Sequence, residues 1–322
     1  MERIPGLSNW KLTLRREADH IEILRAVTCD RSAVLPEELY GLPVTVLGDH
    51  ALAPDARPVP GEPLQITCGR EAGEWDNRNL EELTLPACLE AVEEYGLYRC
   101  RELHTLRLHD GVKRWGGGSL MNCRALRTIH LTRLGEHHGE SLAFFCDEIH
   151  DGLEVFLYEP DGTSTRLLFP EFVENYEENY ASHHFDYTVS GGGYPYHHVF
   201  RGKQLDLRDY DALWDKYLRE EHDPAEALRL AFLRLRWPKD LFPGAEAQYW
   251  AHLRRFPREA LSLALEDAAG LQLLLNGLQP EPALLHEICQ QAREDHRTEA
   301  LALLLEKQHK TEPTGFDKDF DL

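Results

Sequence analysis

The sequence predicts an α+β chain in which a solenoid of parallel strands is followed by an α-helical domain. Three observations carry this prediction. A stretch in the N-terminal half is written three times at a constant spacing. After Leu205 the hydrophobic period changes from 2 to 3.6, the periods of strands and helices. A segment without basic residues lies between the two patterns.

The repeated stretch spans Leu80–Cys146 with a period of 23 residues. Each copy begins with aliphatic residues spaced as L-x-x-L-x-L and ends with a cysteine. The three copies carry Leu80, Leu83, Leu85 and Cys100, then Leu103, Leu106, Leu108 and Cys123, then Leu126, Ile129, Leu131 and Cys146. A fixed period of roughly 20–29 residues with this spacing is typical of a leucine-rich repeat solenoid. We therefore expect these side chains to stack inside it, the cysteines as small apolar residues.

The flanking segments complete this predicted domain, residues 1–157. Alternating apolar residues predict a hairpin over residues 10–28 that covers the open end of the solenoid. The segment Pro54–Asn79 carries four prolines and breaks the period, so it is interpreted as an insertion or an irregular repeat. Within it, Leu64–Cys68 is expected to add a strand to the ladder. A last strand is predicted at Leu153–Leu157, before the turn at Asp161-Gly162.

The N-terminal half also resembles the BspA-like class of bacterial leucine-rich repeats. That class reads roughly L-P-x-x-hydrophobic, followed by I-G-x-x-A-F-x-x-C. The matching positions are Leu35-Pro36, Leu47-Gly48, Ala51-Leu52, Leu85-Pro86, Val92, Gly96-Leu97, Cys100, Trp115-Gly116, Ser119-Leu120 and Cys123. The third copy departs, because His138-Gly139 stands where a large apolar residue and glycine are expected. The resemblance implies a protein-binding module and covers about residues 10–157.

The rest of the chain is predicted as a junction over 158–205, a helical repeat or irregular helical bundle over 206–310, and a flexible tail over 311–322. Between Leu167 and Phe200 there is no Lys or Arg, but nine aromatic residues, five carboxylates and two His-His pairs. The part 169–180 is expected to form a short helix. Asp223-Pro224 has the pattern of a helix start. Residues 300–306 resemble the second helix of an ankyrin-type repeat.

The composition bounds the function. A net charge of −21 at pH 7 argues against nucleic acid and anionic membrane surfaces as partners. The N-terminus lacks the apolar core of a signal peptide, and no run of residues is long and apolar enough for a membrane span. Seven cysteines without a C-x-x-C pair indicate reduced thiols. We therefore expect a cytoplasmic protein.

No catalytic, cofactor-binding or metal-binding residues are predicted, so the chain is not expected to be an enzyme. Adjacent histidines such as His137-His138 point to opposite faces of a strand and rarely provide two metal ligands. The glycine clusters at 116–118 and 191–193 lack the Lys-Ser/Thr of a P-loop. A catalytic thiol needs an adjacent base and an exposed, electropositive setting. The repeat cysteines are instead expected to be buried, and Cys289 is expected on an apolar helix face.

Two surfaces are candidates for binding, and the partner expected is a protein. On the ladder strands, the residues between the inward leucines point outward, and these are Glu82, Thr84, Thr105, Arg107, Thr128 and His130. The alternative is a ligand-binding or enzymatic site at the junction, built from Tyr180, His183, His184, Tyr194, His197 and His198. A third interpretation is a structural subunit of a larger assembly that docks through its helical half.

Overall fold

The structure is a computed structural model that describes residues 2–5, 7–69, 73–135, 140–179 and 184–311. Its contacts divide the chain into two compact units, residues 1–222 and 223–322. The first unit therefore includes residues 206–222, which the sequence assigned to the helical domain. The N-terminal β-solenoid has about five turns over residues 21–158, and a helical region follows it. The chain is thus of mixed α+β class, as predicted.

The strands that precede the regular repeats build the N-terminal end of the solenoid. They are β1 (Glu2–Pro5), β2 (Trp10–Arg16), β3 (Ile21–Thr28), β4 (Ser32–Val34), β5 (Glu38–Leu39), β6 (Leu42–Leu47) and β7 (Glu62–Thr67). β2 and β3 are an antiparallel pair over the expected residues 10–28, and β3 pairs in parallel with β6. Trp10, Leu12 and Leu14 are buried under this hairpin. The hairpin therefore covers apolar surface that the first turn would otherwise expose.

The segment Leu64–Cys68 forms a strand, but the expectation that it joins the ladder is wrong. β7 pairs with β1 and with β2, on the far side of the hairpin from the repeats. This register sets Leu64 opposite Leu12 and buries Leu64 completely. An alternating pattern specifies which side chains of a strand are buried, but it does not specify the neighbouring strand.

A buried asparagine ties the end of the insertion to the solenoid. Asn77 begins a short 3-10 helix (Asn77–Asn79) and is 1% exposed. Its side-chain amide donates to the carbonyl oxygens of Ala26 and Leu52, both at 2.8 Å, and its oxygen accepts from the Thr28 N–H at 2.9 Å. All three hydrogen bonds satisfy polar groups of the buried backbone.

The repeats themselves form two parallel ladders. Their strands are β8 (Glu82–Thr84), β9 (Ala91–Val92), β10 (Thr105–His109), β11 (Arg114–Trp115) and β12 (Thr128–Thr132). β8, β10 and β12 lie side by side in a sheet that we call the ladder sheet, with β4 at its edge. β9 and β11 continue from β6 in the sheet that contains the hairpin. The first two copies thus contribute one strand to each sheet.

The positions that recur every 23 residues are the core. Leu83, Leu106 and Ile129 are paired in register and are fully buried. The cysteines follow them, since Cys100 and Cys146 are buried and Cys123 is half-buried. All seven cysteines carry free thiols.

The C-terminal end of the solenoid differs from the repeats. Its elements are α1 (Glu140–Glu148), β13 (Leu153–Tyr158), β14 (Ser164–Phe169), β15 (Val173–Asn179), β16 (His184–Ser190), α2 (Tyr194–His197), β17 (Phe200–Arg201), β18 (Gln204–Leu205), α3 (Leu207–Ala212) and α4 (Trp214–Tyr217). Helix α1 carries Cys146 in the third copy. β13 continues the parallel ladder and β14 returns antiparallel to it, so a second hairpin completes the ladder sheet. His137 and His138 lie outside the described residues.

The expected short helix at 169–180 is wrong, because residues 173–179 form β15, paired antiparallel with β16. The register places Tyr176 directly opposite Tyr187, with ring centroids 4.9 Å apart. Cross-strand aromatic pairs of this kind favour a hairpin. Only four residues separate the two strands in the sequence, so the pairing is local, but the helical interpretation of 169–180 did not consider it.

The second unit consists of short helices. They are α5 (Pro224–Arg236), α6 (Pro243–Arg255), α7 (Pro257–Leu263), α8 (Ala268–Leu278), α9 (Pro282–Glu294) and α10 (Thr298–Thr311). α5 begins as predicted, with Pro224 at its first position and the Asp223 carboxylate accepting from the Ala225 N–H. α5 packs on α6, α7 and α8, and α9 packs on α10. In the part of the chain that the structure describes, no helix has the length and apolarity to cross a bilayer.

Candidate binding surface on the ladder sheet

The outward residues of the ladder sheet lie in registered rows. Glu82, Thr105 and Thr128 face one another across β8, β10 and β12, and the second row holds Thr84, Arg107 and His130. Neighbouring strands of a sheet are about 4.8 Å apart, so each row is a continuous line of side chains. Five of these six residues keep part of their surface exposed. Thr105 is only 7% exposed, with its hydroxyl 2.9 Å from Nδ1 of His104.

β13 and β14 extend both rows with residues that the sequence analysis did not select. Glu154 continues the first row, and Phe156 and Arg166 continue the second. Tyr158 stands two positions beyond Phe156 on the same face of β13 and is 37% exposed. The alternation in Leu153–Tyr158 was a usable signal for Phe156 and Tyr158. No comparable signal in the sequence indicated Arg166, because the strand β14 was not predicted. We call the members of both rows other than Thr105, together with Tyr158, the ladder face. It consists of Glu82, Thr84, Arg107, Thr128, His130, Glu154, Phe156, Tyr158 and Arg166.

The centre of the ladder face is a stack of two rings and one guanidinium group. The His130 and Phe156 rings are nearly parallel, with centroids 4.2 Å apart, and the Arg166 guanidinium lies 4.2 Å from the Phe156 centroid on β13. Nδ1 of His130 is 2.8 Å from the Tyr158 hydroxyl. Such stacking fixes side chains that would otherwise rotate. This part of the face is therefore ordered before any partner arrives.

The charges on the ladder face are balanced. Arg107 lies 3.8 Å from Glu82, and Arg166 is hydrogen-bonded to Glu154. Burial, together with the nearby positive charges of Arg107 and Arg166, lowers the pKa of His130 to about 4. The imidazole is therefore neutral near pH 7. The paired Glu82, Glu154, Arg107 and Arg166 give this part of the ladder face no net charge.

The residues of the alternative junction site do not form a row like those of the ladder sheet. Tyr180 and His183 lie outside the described residues, and of His184 the structure describes only its place at the start of β16. Tyr194, His197 and His198 are close together in and after α2. The ring of His198 lies against that of Tyr194 at 4.2 Å, and its Nδ1 is 2.9 Å from the Tyr194 carbonyl oxygen.

His197 is a packing residue. It is 2% exposed, and its Nδ1 and Nε2 lie 2.8 and 2.9 Å from the carbonyl oxygens of Cys146 and Pro170. Burial lowers its pKa, and the carbonyl groups oppose that shift. Both ring nitrogens are directed at the backbone. Beside it, Tyr196, Tyr210 and Tyr217 pack edge to face and are at most 1% exposed. This part of the junction is a packed aromatic core.

The thiols of the three repeat cysteines are poor nucleophiles. Burial raises the pKa of Cys123 to about 12 and holds the pKa values of Cys100 and Cys146 well above the ordinary value of a thiol. The reactive thiolate is therefore scarce at neutral pH. Over the described ranges, there is no group of three or more His, Cys, Asp or Glu side chains placed to hold a metal ion.

Comparison with known proteins gives a partial structural match. No protein-family model matches the chain, and no curated protein matches it. A solved structure that does match is the crystal structure of a leucine-rich repeat protein of T. pallidum (TpLRR). The match has a TM-score of 0.29 and 19% sequence identity, and it covers 37% of this chain and 50% of that one. The chain thus spans half the length of that protein.

Proposed function

We propose that this leucine-rich β-solenoid chain is a non-enzymatic recognition protein that binds another protein through the ladder face. The observation that carries the proposal is the ordered stack of His130, Phe156 and Arg166, with Tyr158 beside it. Arg107 lies next to His130 in the same row. Arg and Tyr are among the residue types that most often dominate binding energy at protein interfaces. Their fixed geometry lowers the entropy cost of association.

The more specific aspects of the proposal rest on the sequence. The L-P and G-x-x-x-L positions of the repeats favour a BspA-like repeat protein of a bacterium. The free thiols of all seven cysteines favour a reducing compartment such as the cytoplasm. The short helices of residues 223–311 favour an ankyrin-type stack, in which neighbouring helix pairs share one core.

The experiment is quantitative affinity capture from the native cell extract with the double variant R107E/H130E. Arg107 and His130 are adjacent in the same row, so the double variant replaces the positive charge of Arg107 and the neutral imidazole with two carboxylates, one of them close to Glu82. We expect recovery of a specific protein partner to fall at least tenfold relative to the wild-type chain, about 1.4 kcal/mol of binding free energy.

The matched control is R15E/H20E, which replaces the same residue types on the hairpin β2–β3. Arg15 is ion-paired with Glu22, and Nδ1 of His20 lies 2.7 Å from a carboxylate oxygen of Asp19. Both residues lie away from the rows of the ladder sheet. The neutral variant R107Q/H130Q separates lost contacts from repulsion, and circular dichroism confirms that each variant is folded. Equal capture by R107E/H130E and the wild-type chain would remove the ladder face as the binding surface.

A further inference from the structure

The insertion that breaks the repeat period forms one wall of a cleft in the first unit. The cleft has a volume of about 470 Å³, within the roughly 300–1,000 Å³ range typical of small-molecule sites. One wall is the insertion, from Asp55 to Val59. The facing wall comes from β3 and from the turns that follow β6 and β9, through Arg25, His50, Tyr98 and Arg99.

Two sets of arginine contacts fix the insertion against this wall. The Arg25 guanidinium donates to the carbonyl oxygens of His50 at 3.2 Å and Ala51 at 3.0 Å, and it reaches that of Pro54 at 3.5 Å. Asp55 is held between Arg78, to which it is hydrogen-bonded, and Arg99, at 3.5 Å. The cleft is therefore a built feature of the fold rather than a gap beside a loose loop.

An aromatic cluster of His50, Tyr95 and Tyr98 lies at the cleft, which His50 and Tyr98 line. His50 and Tyr95 occupy equivalent positions of successive turns, each with φ of 55°. The ring centroids of His50 and Tyr98 are 6.2 Å apart at an angle of 77°. Tyr95 completes the cluster, 4.9 Å from His50 and 5.5 Å from Tyr98. In the next turn the equivalent position is Gly118, and the Tyr95 ring covers it. The cluster is thus confined to this part of the solenoid.

Several of the residues that line the cleft carry polar groups without partners. Arg57 is exposed and, among the described residues, makes no ion pair or hydrogen bond. The Nε–H of Arg99 is buried and has no hydrogen-bond acceptor within the described chain. The opposing charge is Asp49, which is exposed and unpaired in the described part of the chain, whereas Asp55 is already neutralised by its two arginines. Guanidinium groups are thus the main donors in a chain whose net charge is −21.

We infer that this cleft binds a small planar organic anion, an aromatic carboxylate or phosphate ester. Arg57 and Arg99 supply the planar donors that match carboxylate and phosphate oxygens. The ring of Tyr98 and the side chains of Leu24 and Val59 provide contacts for the flat apolar body. This site is separate from the ladder face, so its failure leaves the proposed recognition function unaffected.

The test is isothermal titration of the full-length chain with phenyl phosphate, and with benzylamine and benzyl alcohol as cationic and neutral probes of similar shape. We expect saturable binding of phenyl phosphate near or below about 1 mM and at least tenfold weaker binding of the other two. R57Q should weaken the binding of phenyl phosphate at least tenfold, and D49N should strengthen it several-fold. The two effects have opposite signs because the two charges oppose each other.

The matched control is R15Q, which removes an exposed arginine of β2 and should leave the affinity unchanged. Because Arg57 and Asp49 are exposed, their variants are expected to melt at the wild-type temperature, so a change in affinity reports on the site. Three results would each overturn the inference. They are no saturable binding of phenyl phosphate, equal binding by R57Q and the wild-type chain, and tighter binding of benzylamine with weakening by D49N.

Discussion

His130 shows how one side chain of the ladder face depends on its neighbours. Its ring is held between Phe156 and the Tyr158 hydroxyl, and the guanidinium groups of Arg107 and Arg166 are close enough to oppose a positive charge. The same contacts that order the residue for binding therefore keep it neutral. They also make folding sensitive to acid, because the unfolded chain carries no such constraint.

We predict that H130N removes part of the loss of stability in acid. The pKa of His130 is lowered from 6.5 to about 4 in the folded chain. Between these values the unfolded chain binds a proton that the folded chain does not, so the contribution of His130 to stability is full above pH 6.5 and falls as the pH drops toward 4. Urea unfolding of both proteins at pH 7.5 and pH 4.5 measures the difference.

The control for this prediction is H286N. His286 is exposed and lies beside Gln290 on α9. We expect H286N to keep the wild-type pH dependence, whereas H130N should lose less free energy of unfolding between the two pH values. An identical loss in H130N and the wild-type chain would show that His130 is not held neutral by the fold.

At the scale of elements, two successive turns of the solenoid pack with their backbones in direct contact at Gly116. Gly116 follows β11, and a Cβ added there would overlap the backbone nitrogen of Glu94 and lie 2.5 Å from the carbonyl carbon of Glu93. Both atoms belong to the backbone of the preceding turn. Neither can move without shifting β9, so the glycine allows successive turns to stack.

We predict that G116A lowers the free energy of unfolding by about 1–3 kcal/mol, because the added methyl group overpacks the contact between turns. G117A is the matched control one residue away, since a Cβ at Gly117 meets nothing within 4 Å. Its effect should stay within about 0.5 kcal/mol. Thermal and urea unfolding of both variants measure the difference, and equal stabilities would contradict the packing described here.

At the scale of the whole molecule, the chain divides after His222. The helices α3 and α4 complete the aromatic core of the first unit, because Tyr210, Trp214 and Tyr217 are at most 1% exposed and the Tyr210 hydroxyl donates to the Leu168 carbonyl oxygen. The boundary inferred from composition, at 205, would remove these side chains from that core.

We predict that the fragments 1–222 and 223–322 each fold when produced separately. The second begins with Asp223, which caps α5, and should show a helical circular dichroism spectrum with cooperative unfolding. The control fragment 1–205 lacks α3 and α4, so it should expose the aromatic core and be less stable than 1–222. Equal stability of 1–205 and 1–222 would contradict the role assigned to these helices.

The sequence by itself determined the skeleton of the solenoid. Residues such as Leu83, Leu106 and Ile129 recur every 23 positions, and a repeated spacing forces similar side chains into the same place in each turn. The alternation in the strands then predicted which residues of β8, β10 and β12 face outward. The start of α5 at Asp223-Pro224 was readable for a similar reason, since a cap and a proline act within one turn of helix.

Only the tertiary structure decided which of the segments outside the 23-residue repeat contact one another. β7 pairs with the hairpin, β14 adds Arg166 beside Phe156, and the insertion brings Arg57 to a cleft with Tyr98. These contacts join residues that share no repeat spacing. A period records only interactions between equivalent positions of neighbouring turns. The candidate binding sites depend on contacts between residues that do not repeat. Those contacts are fixed by packing and by the pairing of strands that are distant in the sequence.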